Sequence, residues 1–523
     1  MSQQDIISNF QAQIAAGYQF SGAYINMGIA LLNGQVVPNS IIKAPLKNFN
    51  RHGLIAGATG TGKTKTLQLI AEGLSANGVA VLCMDIKGDL SGIAQPGSPN
   101  PKIADRHQKI GIEWQSTQYP VELLTLSNQK GTRLRATLLE FGPVLFSKIL
   151  DLNETQTSVV AVIFKYCDDN NLPLLDLNDF KKVLQFATNE GKDEFTNLYG
   201  NIAITSSGSI LRKIVEIEQQ SADLFLGEPS FDVKDLLRRD ESGKGYISIV
   251  RLTDIQDRPK LFSTFMLSLL SEIYQTFPEA GDLPKPKLVI FIDEAHLVFN
   301  EASQALLDQI ETIVKLIRSK GVGLFFCTQN PQDVPNAVLG QLGMKVQHAL
   351  RAFTAKDRKD IKLTAENYPL SDFYDTDEVI TNLGIGEALF TALDDKGRPT
   401  PLAAVLMCAP ASRMDVLTEN EIDDLVCASE IAADYNKDID RESAYEILSK
   451  RIAQGQEVNE EEETSNSSKT EKDEPGWFEK LTKNTMVRQV GRTVGRELTR
   501  GLLGVLGIGG RKTTSSKKRS SWF

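Results

Sequence analysis

Gly57-Ala58-Thr59-Gly60-Thr61-Gly62-Lys63-Thr64 places a lysine and a hydroxyl directly behind a glycine-rich run. The order G-x-x-x-x-G-K-[ST] is the one a turn needs if its backbone N–H groups are to close around a di- or triphosphate. Glycines permit the tight turn, and a helix starting at its end aims a positive dipole at the same spot. In such a loop Lys63 reaches the β- and γ-phosphates of ATP and the Thr64 hydroxyl holds Mg²⁺. Lys65 extends the candidate nucleotide-binding set by one residue. The plainer reading is a glycine turn that holds nothing, and the fixed spacing in its context argues against it.

A second group of polar residues lies far along the chain. The apolar run Leu288-Val289-Ile290-Phe291-Ile292 ends on Asp293-Glu294. A carboxylate at a strand end can hold Mg²⁺ through water, and one beside it can deprotonate the water that attacks a γ-phosphate. Asp293 is therefore assigned to the metal and Glu294 to the base. Gln329 closes another apolar run, Phe325-Phe326-Cys327-Thr328, and can bond a γ-phosphate oxygen or the attacking water. An amide that merely satisfies loop backbone is the blander alternative.

Phosphoryl transfer also calls for an arginine to meet the developing charge, often one from a neighbouring subunit. Arg318 and Arg351 are candidates of equal standing. Each has a plainer reading, Arg318 as a cation near a helix C-terminus and Arg351 as a surface ion pair. His296 has no second histidine near it, so it reads as a polar switch residue rather than a metal ligand. Asp85-Ile86-Lys87-Gly88-Asp89 offers either another carboxylate for the site or a loop held by aspartate hydrogen bonds.

These residues need a scaffold. Leu54-Ile55-Ala56 predicts a buried strand before the loop, and Leu67, Ile70, Ala71 and Leu74 predict an amphipathic helix after it. Val79–Met84, Tyr246–Val250, Leu288–Ile292, Val322–Thr328 and Lys345–Leu350 predict further strands, with helices at 261–274, 306–317 and near 336–342. Alternation of this kind predicts an α/β fold with a mainly parallel sheet and helices on both faces.

From about 143 to 240 the pattern is helical and interrupts the alternation. The expected layout is a small β/helical region over 1–50, a first core part over 51–142, a helical insertion over 143–240 and a second core part over 241–417. C-terminal helices follow over 418–455, then an acidic disordered linker over 456–475 and a basic amphipathic tail over 476–523. In that tail Arg488, Arg492, Arg496 and Arg500 form a stripe beside Val487, Val490, Val494 and Leu498. Such a stripe suits an anionic membrane surface, DNA phosphates or docking on the protein itself.

The 523 residues carry a net charge of −10, and 476–523 holds a local excess of lysine and arginine. Bulk charge therefore gives no nucleic-acid footprint, and any positive surface for DNA must be localised. Five scattered cysteines with no C-x-x-C argue against a zinc site or disulfide framework. No apolar run reaches the length of about 18 residues that spans a bilayer, so a cytoplasmic protein is expected.

Taken in order, Arg51 to Thr64, Asp85-Ile86-Lys87-Gly88-Asp89-Leu90-Ser91-Gly92, Asp293-Glu294-Ala295-His296 and Thr328-Gln329-Asn330-Pro331 resemble the HerA-like ATPases of the FtsK–HerA superfamily, and among them the bacterial YjgR-like branch. The resemblance covers roughly Gly22 to Leu417. It implies a RecA-like core, a homo-hexamer and movement on double-stranded DNA driven by ATP and Mg²⁺. It also implies that Lys63, Thr64, Asp293, Glu294 and Gln329 carry the nucleotide chemistry. Archaeal HerA proteins begin with a larger β-barrel domain that helps to dock a nuclease. About fifty residues precede the loop here, so a nuclease partner does not follow from the likeness. A nucleotide-switched assembly acting on a protein partner or at a membrane surface is the alternative.

Overall fold

The computed structural model describes residues 2–219, 225–256, 258–299, 304–439 and 441–465. The chain divides into two compact units. The first comprises residues 1–140, 148–151 and 211–440; the second comprises 141–147, 152–210 and 441–523.

The first unit is built on one twelve-stranded sheet. Its strands are β1 (Tyr24–Leu32), β2 (Gln35–Pro45), β3 (Gly53–Ala56), β4 (Ala80–Asp85), β5 (Val121–Thr125), β6 (Thr132–Arg133), β7 (Ile247–Arg251), β8 (Leu288–Ile292), β9 (Val322–Thr328), β10 (Met344–Gln347), β11 (Glu387–Thr391) and β12 (Ala403–Met407). Their spatial order is β2-β1-β12-β11-β10-β3-β9-β8-β4-β7-β5-β6. From β10 to β6 every pairing is parallel, and the four strands beyond β10 pair antiparallel. The α/β class expected from the alternation is therefore present.

Strands β3, β4, β8 and β9 are buried along their whole length. Helices cover both faces of a parallel sheet, so its central strands read as continuous apolar runs rather than alternating ones. A fully polar strand end is then conspicuous, because it can only point into the crevice at the C-terminal edge.

Several boundaries differ from the sequence reading. Residues 1–50 are not a separate region. Helix α1 (Gln3–Gly17) precedes the β1–β2 hairpin, which joins the central sheet through β12. Strands β5 and β6 went unread, because five and two residues give too short a pattern to separate from loop. The strand expected over 345–350 stops at Gln347, and the hydrogen bonds of His348 and Ala349 go to the start of the phosphate loop.

The second unit is helical. Phe180, on the helix Leu177–Thr188, meets Phe146 and Phe164 at centroid distances of 5.1 and 6.1 Å. Residues 211–240, expected in the insertion, belong to the sheet-bearing unit instead. The helix Ala444–Ser465 joins the second unit, its Ala444 and Tyr445 amides donating to the Pro173 carbonyl and the Asp179 carboxylate at 2.9 Å. It continues through 456–465, where a linker was expected. Residues 466–523, including the basic stripe, lie outside the described residues.

Candidate nucleotide site

The phosphate loop joins β3 to helix α2 (Lys63–Ala76). Gly57, Gly60 and Gly62 hold φ of 148°, 78° and 120°, backbone that side-chain-bearing residues avoid. At Gly57 space matters as well, for a Cβ there would lie 2.5 Å from His348 Cβ.

The loop is pinned from several sides. His348 N donates to Ala56 O at 2.7 Å, and Ala58 N donates to Ala349 O at 2.8 Å, so the β3–β10 pairing carries on into the loop. The Gly386 amide donates to Thr61 O at 2.9 Å. Arg106, on helix α3 (Pro101–Ile110), holds that same turn by donating to the carbonyls of Ile385, Gly386 and Met407, each at 3.0 Å.

His348 ties the start of α2 to β11. Its Nδ1 lies 2.8 Å from Glu387 O, which can only accept, so Nδ1 carries the proton. Nε2 therefore accepts from the Thr66 hydroxyl at 2.9 Å. Burial pushes this imidazole down to about 4, with Lys63 adding to the effect. It is a neutral structural pin.

Lys63 is buried, and its ammonium donates to Gly57 O at 2.7 Å and Ala58 O at 3.2 Å. Burial lowers its pKa, and Lys87 acts in the same direction while Glu294 and Asp293 oppose both. The acids that influence it arrive through the sheet. β9 lies between β3 and β8, with Ala56 opposite Thr328 and Phe326 opposite Ile292. Two strand spacings are about 10 Å, a gap that a lysine and a carboxylate can close between them.

Asp293 follows β8 and is buried; desolvation raises its pKa to about 7, against the pull of Lys87. Glu294 is buried too and holds a φ of 46°, a left-handed conformation uncommon for a residue with a side chain. The Ala295 amide fixes this turn by donating to Cys327 O at 2.9 Å. One Glu294 oxygen forms an ion pair with Lys87, and the other lies 3.2 Å from His296 Nδ1.

Thr64 is half-buried at the first turn of α2. A hydroxyl and a desolvated carboxylate form a hard oxygen donor pair of the kind Mg²⁺ takes, so Thr64 and Asp293 suit that ion.

Gln329 is exposed just past β9, its Oε1 3.4 Å from the Thr59 hydroxyl. Lys65 turns away from the loop and donates to Met414 O at 2.6 Å. Its side chain is spent on the chain's own backbone, so only its main-chain amide is left to a nucleotide. Arg351 follows the brace at Ala349 and donates to Thr381 O at 3.2 Å. Arg318 is placed elsewhere. It precedes β9, at the sheet edge opposite the phosphate loop, where burial and Arg51 lower its pKa. Strand direction keeps it from this chain's own phosphate site. Asp85 accepts the amides of Gly88, Asp89 and Leu90 at 2.7, 3.2 and 3.1 Å, so it holds a loop.

Lys87, His348 and Arg106 were missed by sequence reasoning. Lys87 stood within a quoted segment, but only the carboxylates beside it drew attention.

The chain is similar in sequence to known proteins. The family description "Helicase HerA-like C-terminal" matches residues 31–513. The chain is 20% identical over 360 residues to the DNA double-strand break repair helicase HerA of Sulfolobus acidocaldarius, covering 68% of this chain and 65% of that protein. It is 23% identical over 386 residues to the HerA of Saccharolobus solfataricus, covering 72% and 69%. Among solved structures, the plasmid coupling protein TrwB in complex with a non-hydrolysable ATP analogue is 14% identical, covers 78% of this chain and 95% of that one, and has a TM-score of 0.49. The chain thus spans slightly less than two thirds of the first of these relatives. With the family description matched across most of its length, the chain belongs to the HerA-like family of the FtsK–HerA superfamily.

Proposed function

We propose that this protein is an ATP-hydrolysing motor that assembles as a homo-hexameric ring and acts on double-stranded DNA. The observation behind the reading is the meeting of Lys63 with Asp293 and Glu294 at the C-terminal edge of one sheet, a single strand apart. In this reading the amides of Gly57–Thr64 bind the phosphates, Lys63 leaves the Gly57 and Ala58 carbonyls for phosphate oxygens, and Gln329 orients the attacking water. Glu294 takes the proton from that water. Mg²⁺, when held by Thr64 and Asp293, neutralises phosphate charge.

Arg351 lies on the edge that carries the loop. Arg318 lies on the opposite edge, so it could serve only the site of an adjacent subunit. DNA as the polymer is supported by the names of the relatives, each a DNA double-strand break repair helicase. The test is steady-state ATP turnover with and without duplex DNA at low salt, on material whose ring state is measured by mass. Stimulation of a hexamer by duplex supports the reading. Insensitivity to DNA, with stimulation by a protein partner or by anionic vesicles, favours the nucleotide-switched alternative.

A further inference from the structure

Glu294 does not face the site freely. Three amides on Asp85 curl the loop after β4, and this carries Lys87 back over the end of β8. The Lys87 ammonium pairs with Glu294 Oε1, while Oε2 faces His296 Nδ1 at 3.2 Å. Each oxygen thus lies against a basic side chain, although neither accepts a hydrogen bond of good geometry. A general base needs a lone pair turned toward the water it deprotonates, so one partner has to let go.

The two partners of the ion pair differ in freedom. The Glu294 side chain is 7% exposed and fixed at a constrained turn, whereas the Lys87 side chain is 36% exposed. Lysine can swing into solvent without disturbing a strand, and Asp89 is close enough to influence the same ammonium. The lysine end of the pair reaches solvent, which screens the pair and lets it open on that side.

We propose that Lys87 is a positioning residue that restrains Glu294, so that its release from the carboxylate sets the resting rate of ATP hydrolysis. This rests on the reading of Glu294 as the base. The reaction is unchanged: water loses a proton to Glu294, its oxygen bonds to the γ-phosphorus, and ADP leaves. Lys87 acts only on how often Glu294 is free.

The test uses the full chain with Mg-ATP and no DNA. Lys87→Met should raise kcat about fivefold, the population gained when a weak ion pair is removed. Affinity for a fluorescent ATP analogue should stay within about twofold. Lys87→Arg should keep the parental rate, and Lys87→Met combined with Glu294→Gln should be as inactive as Glu294→Gln alone. Lys87→Gln, which keeps a donor without the charge, covers the case in which Lys87→Met does not fold, and should shift kcat the same way by less. An unchanged or lowered kcat in the folded neutral variants overturns the proposal. Failure of the nucleotide reading itself shows differently, as parental protein and Lys63→Ala binding the analogue equally poorly, and it would remove the proposal with it.

Discussion

The Thr66 hydroxyl and His348 Nε2 lie 2.9 Å apart and are both buried, joining the first turn of the phosphate-loop helix to the strand system behind it. The bond requires a neutral imidazole, because Nε2 must accept while Nδ1 donates to Glu387 O. The folded pKa, about 4, lies below the ordinary histidine value of 6.5 because burial disfavours the charged form. Between those two values the unfolded chain binds the extra proton and the folded one does not, so this contribution is complete above about 6.5 and is lost as pH falls toward 4. Buried Asp85 and Asp293 have raised pKa values and slope the other way, so the informative quantity is a difference. Relative to His348→Gln, the parent should lose on the order of 2–3 kcal/mol between pH 7 and pH 4. Urea unfolding at both pH values measures it, and equal slopes would remove the neutral pin.

Gly57 should not accept even one methyl group. Its φ of 148° is strained for any side chain, and the new Cβ would collide with His348 Cβ. Gly57→Ala is expected to weaken nucleotide binding tenfold or more, roughly 1.4 kcal/mol, by shifting the loop off its carbonyl anchors. Titration with a fluorescent ATP analogue decides this, and parental affinity would contradict it.

Glu72, buried on α2, accepts the amides of Ala411 and Ser412 at 2.7 and 3.1 Å and also the Ser412 hydroxyl. This carboxylate straps the segment after β12 to the helix that begins at the phosphate loop. Glu72→Ala leaves those donors without their acceptor, at an expected cost of about 2–4 kcal/mol. A change below about 0.5 kcal/mol in denaturant unfolding would show that the strap contributes little.

The parts of this fold that were legible share one property: their signal is local. The phosphate loop occupies eight consecutive positions, and the twin acids end an apolar run of five. The supporting contacts are not local. Thr66 and His348 are 282 positions apart, Arg106 and Gly386 are 280, and Glu72 and Ser412 are 340. No periodicity links such pairs, because only the closed sheet brings them together. The N-terminal hairpin failed in another way. The small β/helical region over 1–50 was legible, but its place beside β12, nearly four hundred residues later, was not. Lys87 lay in plain view within Asp85–Asp89, yet its importance depends on β4 lying next to β8, which is a fact of strand order.

Turnover and binding measured side by side on Glu294→Gln test the central claim most directly. The account predicts that this variant binds Mg-ATP as tightly as the parent while its turnover falls about a hundredfold or more, the scale of a lost general base. Hydrolysis at the parental rate, with binding intact, would contradict it.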